Sequence, residues 1–542
     1  MPAFRPTTEL GTHAVENQPP ERGDLDLWAG DLPLREAAAR SGVAGHAATL
    51  AAFGRTAGSE AMRAAGRLAN RNPPELRLFD RAGRRLDEVA FHPAYHELMA
   101  FGIGAGYPSI GWTGGAGGHV AHAAMVYMLS QVEPGVCCPM TMTYAAVPAL
   151  AADPALAAAW APRVLAARYD PACRPAEEKA GATLGMAMTE KQGGSDVRAN
   201  TTRAAPDGDG WRLTGHKWFC SAPMSDAFLT LAQAPAGLTC FLVPRWTPDG
   251  ERNAIRLMRL KDKLGNRANA SAEIEYQGAF ARILGEPGQG VRTILEMVHH
   301  TRLDTALAPA GLMRAALSEA LWWTSGRRAF QRRLIDQPLM ASVLADLALE
   351  VESALTLGLR VARAFDEEDR AFARIAVALA KFLNNKRCPG AVYEAMECLG
   401  GMGYVEDGPL PLLYREAPLN SIWEGSGNVI CLDVLRTLAR DTAAREALEA
   451  ELAAVRGRAP AYDRAMDDLA AAMAGEPAEA EARWLVERLA TLLAAAVLLG
   501  ETEGPAAEAY LATRVMGEAG RVAGAWPAHI DREGLIARAM PQ

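Results

Sequence analysis

Export, membrane insertion, metal binding and tight nucleic-acid binding each need residues that this sequence does not supply. Its 542 residues include 8 cysteines and no CxxC pair, and the adjacent Cys137 and Cys138 suit neither a metal site nor a routine disulfide. That usage points to a reducing compartment. Lys and Arg number 56 against 64 Asp and Glu, for a net charge of -8 and a pI near 5.8, so no basic excess advertises nucleic acid. The longest apolar run, Leu489 to Gly500, is too short to span a bilayer, and the polar N-terminus has no signal-peptide core. The expectation is a soluble cytoplasmic protein with no membrane contact. His92 and His96 have metal-like spacing, but Pro93 separates them and no HExxH frame exists. His299 and His300 project to different sides of a helix, so no metal is expected. The Gly-rich stretches GIGAGY and GGAGGH match no G-x-G-x-x-G, and no G-x-S-x-G elbow supports a serine hydrolase.

What is present is length and apolar mass. Half the residues are hydrophobic, and this length corresponds to about three or four domains. Residues 1–180 read as a polar, proline-bearing arm followed by Ala- and Leu-rich helices. Between 181 and 290 the texture changes to short strand-like runs such as WRLTGHKWFCS, AFLTLAQA and LTCFLVPRW, separated by turns. Strands so spaced, with no helices between them, predict a small barrel or sandwich. Long amphipathic helices return over 291–440, and 441–542 is an additional helical region. The fold class is α+β.

One short stretch, LNSIWEGSGNVI (Leu419 to Ile430), sets a single carboxylate, Glu424, in an apolar run. It reads in two ways. Ser426 or Asn428 could cap the helix that follows, leaving the acid incidental. Alternatively, Glu424 is a general base whose pKa is raised by dry surroundings.

Six segments, MAMTEKQGGSDV, GHKWFCS, GRRAF, LGGMGY, LYREA and IWEGSGN, resemble the acyl-CoA dehydrogenase family of flavoproteins in order and approximate spacing. Further stretches, GRLANRNPPELRLFDRAGRRLDEVAFHPA, CPMTMTYAA, LKDKLGNRANAS and NSIWEGSGN, resemble its adaptive-response branch, the AidB-type proteins of the alkylation response. The resemblance implies an N-terminal helical domain, a central β-barrel and a C-terminal helical bundle. It implies FAD as cofactor, an acyl-CoA or related small molecule as substrate, and an electron acceptor that the sequence does not identify.

For the flavin, the resemblance implies contacts from Met188, Thr189, Gly194 and Ser195 on one segment and Phe219, Cys220 and Ser221 on another. For Thr189 or Ser221 alone, a turn hydroxyl bonded to its own backbone is the commoner fate. Trp423, Ser426 and Asn428 continue the set around Glu424, and Ser195 and Arg302 are implied at the substrate. Arg327 and Phe330 would reach a neighbouring subunit's FAD, with Gly400 and Gly401 allowing close backbone approach, which implies a homo-oligomer, a tetramer in this family. Arg327 reads equally as a solvated helix-end residue. Gln331 and Glu397 depart from the family's usual Gly and Gln. Some relatives place the base just before an Arg on an earlier helix. Here that position is Thr301 before Arg302, leaving Glu424 as the base candidate.

Three functions follow: weak α,β-dehydrogenation of short or branched acyl-CoA of the isovaleryl-CoA kind, a DNA-binding protective protein of the alkylation response with its flavin site largely vestigial, or an ordinary catabolic acyl-CoA dehydrogenase. The branch resemblance favours the first two over the third. For duplex DNA the charge is of the wrong sign: residues 441–542 hold 17 Asp and Glu against 10 Arg and no Lys, a net −7. Arg483, Arg488, Arg514 and Arg521 would have to converge to make even a weak patch.

Overall fold

The structure is a computed structural model describing residues 6–475, 478–502 and 504–541. An extended arm leads into α1 (Leu32–Arg40), α2 (Ala47–Gly58) and α3 (Glu60–Arg71). The hairpin β1 (Glu75–Phe79) and β2 (Arg85–Ala90) follows. Then come α4 (Pro93–Gly104), α5 (Ile110–Thr113), α6 (Gly118–Ser130), α7 (Pro134–Leu150) and α8 (Pro154–Val164). Helix starts here are set by side-chain caps and N-terminal prolines. Asp31 accepts from Leu34 N–H, Glu133 from Val136 N–H, and Asp153 from Ala155 and Leu156 N–H, each just before a proline-containing first turn.

The β1–β2 hairpin corrects the expectation of helices and loops throughout this region. Its residues pair from Glu75 opposite Ala90 to Phe79 opposite Arg85. Leu76, Leu78 and Val89 join the core of the β-domain rather than the helical core. The alternation in ELRLF is short, and its apolar partner lies far along the chain.

Strands β3 (Leu184–Ala187), β4 (Arg203–Asp207), β5 (Gly210–Ser221), β6 (Ala227–Ala234), β7 (Gly237–Pro244), β8 (Ile255–Leu260) and β9 (Ser271–Ile283) form one sheet. It runs β4–β5–β9–β7–β6 and returns to β4 where Arg203 pairs with Gln233. The sheet is therefore a closed barrel, with β3 added on β6 and β8 on β9. Closure hides the strand edges that a sandwich would leave open.

The C-terminal bundle is α9 (Gly290–Gly326), α10 (Pro338–Asp366) and α11 (Arg370–Glu397), with the two-residue strands β10 (Arg328–Ala329) and β11 (Arg332–Arg333) between the first two. α9 runs through the middle of the helical core and packs on α6, α7, α10 and α11. Next come α12 (Leu410–Glu416), α13 (Gly427–Arg440), α14 (Thr442–Ala453), α15 (Pro460–Met473), α16 (Ala482–Glu501) and α17 (Pro505–Tyr510). A π-helical turn (Leu511–Val515) and α18 (Arg532–Ala539) complete the chain. Ion pairs fasten this last region to the bundle: Arg360 with Glu451 and Arg363 with Glu501, both at 2.7–2.8 Å, and Arg514 with Asp346 and Glu350. Among the described residues no helix is long and apolar enough to cross a membrane.

Inside the barrel, the Lys217 ammonium donates to Glu190 at 2.8 Å and to the Leu231 carbonyl at 2.9 Å, with both charged side chains fully buried. Burial alone would raise the Glu190 pKa, but Lys217 and the Thr201 and Thr202 donors outweigh it and hold the carboxyl well below its ordinary range. Lys217→Met should cost about 3–5 kcal/mol by stranding that carboxylate. Urea unfolding at neutral pH checks this. Because the folded pKa is depressed, the wild-type advantage should be complete above the ordinary carboxylate pKa and shrink as pH falls through the folded value.

Candidate active site

Glu424 sits in the loop between α12 and α13 with φ of +57°, followed by Gly425 at +100°. A left-handed Glu is strained and persists only where its surroundings hold it. Three groups do so. The Lys381 ammonium on α11 donates to the Asn420 and Gly425 carbonyls, both at 2.9 Å. Arg302 Nε on α9 donates to the Glu424 carbonyl at 3.1 Å. Trp423 Nε1 donates to Asn420 Oδ1 at 2.6 Å. Arg302 is itself pinned by Asp433 at 2.8 Å, which also takes both terminal nitrogens of Arg374. The resemblance implies Arg302 at the substrate; in the structure its Nε and Nη1 are bonded to the loop and to Asp433.

The Glu424 carboxylate accepts from the Thr301 hydroxyl at 2.7 Å. Burial raises its pKa, and Thr301, Lys381 and Arg302 offset only part of that rise, so the acid stays above its ordinary value. Helix α13 does begin at Gly427, with Ser426 at the cap position, but Ser426 makes no capping bond. Asn428 instead accepts from Arg483 of the C-terminal region at 2.9 Å. The capping account therefore leaves Glu424 unexplained, while a restrained, half-buried carboxylate with a raised pKa is compatible with a base.

The barrel supplies the facing wall. The two segments singled out in the sequence are joined directly, Trp218 N–H donating to the Thr189 carbonyl at 2.7 Å. Asn200 ties down the Met188 carbonyl at 2.9 Å. A side chain at Gly194 would start 2.7 Å from Thr189 Oγ1, so the turn closes tightly over that hydroxyl. Ser195 is exposed. Along the end of β5, Phe219 is 48% exposed, Cys220 is buried, and Ser221 shares a 3.3 Å hydroxyl contact with Ser271.

Cys138 on α7 links this wall to the acid. Burial pushes its thiol up to about 12, with Lys263 lowering it and Glu424 raising it, and its neighbours are Ser221 and Asn269. Cys138 therefore lies beside Ser221 and near enough to Glu424 to feel its charge. Asn269 is 1% exposed, yet neither amide atom has a hydrogen-bond partner among the described residues. Exposed Phe219, half-buried Met188, the Ser221 hydroxyl and this unsatisfied amide suit a flat plate with apolar faces and a polar edge.

The remaining expected residues lie elsewhere. Phe330, 94% exposed, is at the tip of the β10–β11 hairpin with φ of +50°. Arg327 stacks 5.1 Å over Trp323 and donates to the Asn17 carbonyl at 3.0 Å. Gly400 and Gly401 are exposed, and among the described residues no atom lies within 4 Å of where a β-carbon would stand on either. No hydrogen bond or ring contact among the described residues ties Arg327 or Phe330 to the Glu424 loop. His299 and His300 have rings 5.6 Å apart and nearly perpendicular; both meet Phe365, and His300 alone also meets Trp112, His119 and Tyr144. Among the described residues no group of three His, Cys, Asp or Glu side chains could hold a metal.

Lys381, Asp433 and Asn17 are not singled out by the sequence motifs, and Cys138, which opens CPMTMTYAA, is given no role there. Only Lys381 carried a signal, as a lone cation in the apolar run AVALAKFL. Thr301→Val should raise the Glu424 pKa further by deleting the hydroxyl donor. Infrared titration of the carboxyl band, assigned by its loss in Glu424→Gln, reads that shift directly.

Three family models match in succession: the adaptive response protein AidB N-terminal domain over residues 17–171, the acyl-CoA dehydrogenase middle domain over 185–279, and the acyl-CoA dehydrogenase C-terminal domain over 288–439. AidB of Escherichia coli (strain K12) is 46% identical over 507 residues, which is 92% of this chain and 94% of that protein. Acyl-CoA dehydrogenase family member 11 of Caenorhabditis elegans is 34% identical over 413 residues, 72% of this chain and 66% of that protein. A crystal structure of Caenorhabditis elegans ACDH-11 in complex with C11-CoA matches with a TM-score of 0.82 and 26% identity, covering 99% of this chain and 95% of that one.

Proposed function

The chain belongs to the acyl-CoA dehydrogenase family, in its AidB-type branch, and we propose that it removes hydrogen across Cα–Cβ of short or branched acyl-CoA of the isovaleryl-CoA kind, with Glu424 as base. It is an oxidoreductase acting on acyl-CoA, and its cofactor is FAD. The observation that carries the residue assignment is the Thr301-bonded Glu424 carboxyl on its restrained left-handed backbone, held above its ordinary pKa by burial.

When bound, FAD supplies the acceptor for the hydride that leaves Cβ. The Met188–Ser195 and Phe219–Ser221 segments would hold its ring system, their exposed apolar surface and hydroxyls matching an amphipathic plate. Glu424 takes the α-proton. That proton is weakly acidic, and a partly desolvated carboxylate is a stronger base than one in water. Thr301 keeps the carboxylate oriented through its 2.7 Å bond. Arg302 cannot easily reach a substrate while it bonds both Glu424 and Asp433, so its part is to fix the loop.

The exposed Phe330 and the hairpin behind it support a neighbour-completed FAD site and hence a homo-oligomer, a tetramer by family precedent. The DNA-holding alternative gains little from the arginines named for it, of which Arg488 and Arg521 are exposed. Arg514 turns inward to Asp346 and Glu350, Arg483 goes to Asn428, and Arg488 lies over Trp484.

Glu424→Gln should bind FAD as the parent does and lose about 10²-fold or more in flavin reduction by isovaleryl-CoA under anaerobic stopped flow. A parent rate would return Glu424 to a structural role. Sedimentation velocity of the FAD-loaded protein at micromolar concentration should give a species larger than a monomer.

A further inference from the structure

The floor beneath the Glu424 loop contains a cation that the reaction described above does not use. Lys381 lies in the middle of α11 and is 1% exposed. Among the described residues its ammonium has no carboxylate partner. Its two hydrogen bonds go to the carbonyls of Asn420 and Gly425, which bracket the left-handed Glu424 on either side. A buried ammonium without a carboxylate is costly, and a leucine or methionine would fill the same helix position without that cost.

The surroundings are unusual for a lysine. From α9, Arg302 faces it; from its own helix, Lys386; from the loop, Glu424. Asp433 on α13 neutralises Arg302 and Arg374 rather than Lys381. Burial, then Arg302, draws the Lys381 pKa down to about 7, with Glu424 the group that holds it up. Reciprocally, Lys381 is among the groups that keep the Glu424 carboxyl from rising further.

We propose that Lys381 is the positioning residue of the base: it clamps the 420–425 loop through two carbonyls so that Glu424 keeps its left-handed backbone, and its charge favours the ionised carboxylate. The proposal rests on the reading of Glu424 as the base. The two bonds act on geometry and the charge acts on proton affinity, so the two contributions separate by substitution. Lys381→Met removes both. Lys381→Gln removes the charge and keeps an amide donor for one carbonyl.

The test uses the FAD-loaded protein, with anaerobic flavin reduction by isovaleryl-CoA followed across pH. In Lys381→Met the plateau rate should fall about 10- to 100-fold, and the acid limb should move to higher pH by about one unit, because an ionised base is no longer favoured by a nearby cation. In Lys381→Gln the limb should move similarly while the plateau stays closer to the parent. Both variants should retain FAD. Infrared titration of the Glu424 carboxyl should show the same upward shift without turnover.

Glu424→Gln run alongside separates the two claims. If Glu424→Gln reduces flavin at the parent rate, the base assignment fails. If Glu424→Gln is inactive while Lys381→Met keeps both the parent plateau and the parent acid limb, the positioning role alone fails. Loss of FAD or of the folded assembly in both lysine variants would also overturn it, since Lys381 would then be holding the bundle and not the base.

Discussion

A half-buried carboxylate on a left-handed residue has to be restrained from several directions at once, and the architecture around the Glu424 loop meets that requirement. Glu424 is gripped at its backbone by Arg302 and flanked by the carbonyls that Lys381 holds, and its side chain is bonded by Thr301. These partners come from α9 and α11, two of the longest helices in the chain. Long, well-packed helices are stiff supports, and α9 makes contact with four other helices of the core. A rigid frame allows a short loop to keep a conformation that its own sequence does not favour.

The facing wall follows the same logic with different materials. The barrel ends that carry Thr189 and Phe219 are joined to each other by a backbone bond, and the Lys217–Glu190 pair fixes the interior behind them. Thr201 and Thr202 complete the bonding of Glu190. The barrel thus presents exposed Phe219 and half-buried Ser221 and Met188 at this end while the Lys217–Glu190 pair is bonded within.

The two ends of the chain act on the helical bundle rather than on the cleft. The N-terminal arm lies along the end of α9: Asn17 exchanges bonds with the backbone of Arg328, and Trp322 donates to the Pro20 carbonyl. It therefore shapes the hairpin that exposes Phe330. The C-terminal helices are tied to α10 by buried and half-buried ion pairs. Their arginines are largely engaged with the protein itself, which is consistent with the net negative charge of that region.

The order of helices, strands and helices was legible from residue patterns, because strand spacing and amphipathic periodicity are local properties. A charge in an apolar run marked Glu424 without choosing between cap and base, and the family resemblance made it the base candidate. The β1–β2 hairpin escaped notice because its few alternating residues gain their meaning from the barrel core they cover. Arg302 and Arg514 read as available cations, yet each is matched to carboxylates more than a hundred residues away in the chain. That Phe365 from another helix meets both His299 and His300 was not legible from helical geometry. Lys381 and Cys138 acquire roles only through what faces them. Sequence determined which residues could form helices, strands and a base motif. Tertiary packing alone decided which charges were neutralised, which stayed unpaired and how dry the acid became, since desolvation and pairing depend on groups brought together from distant parts of the chain.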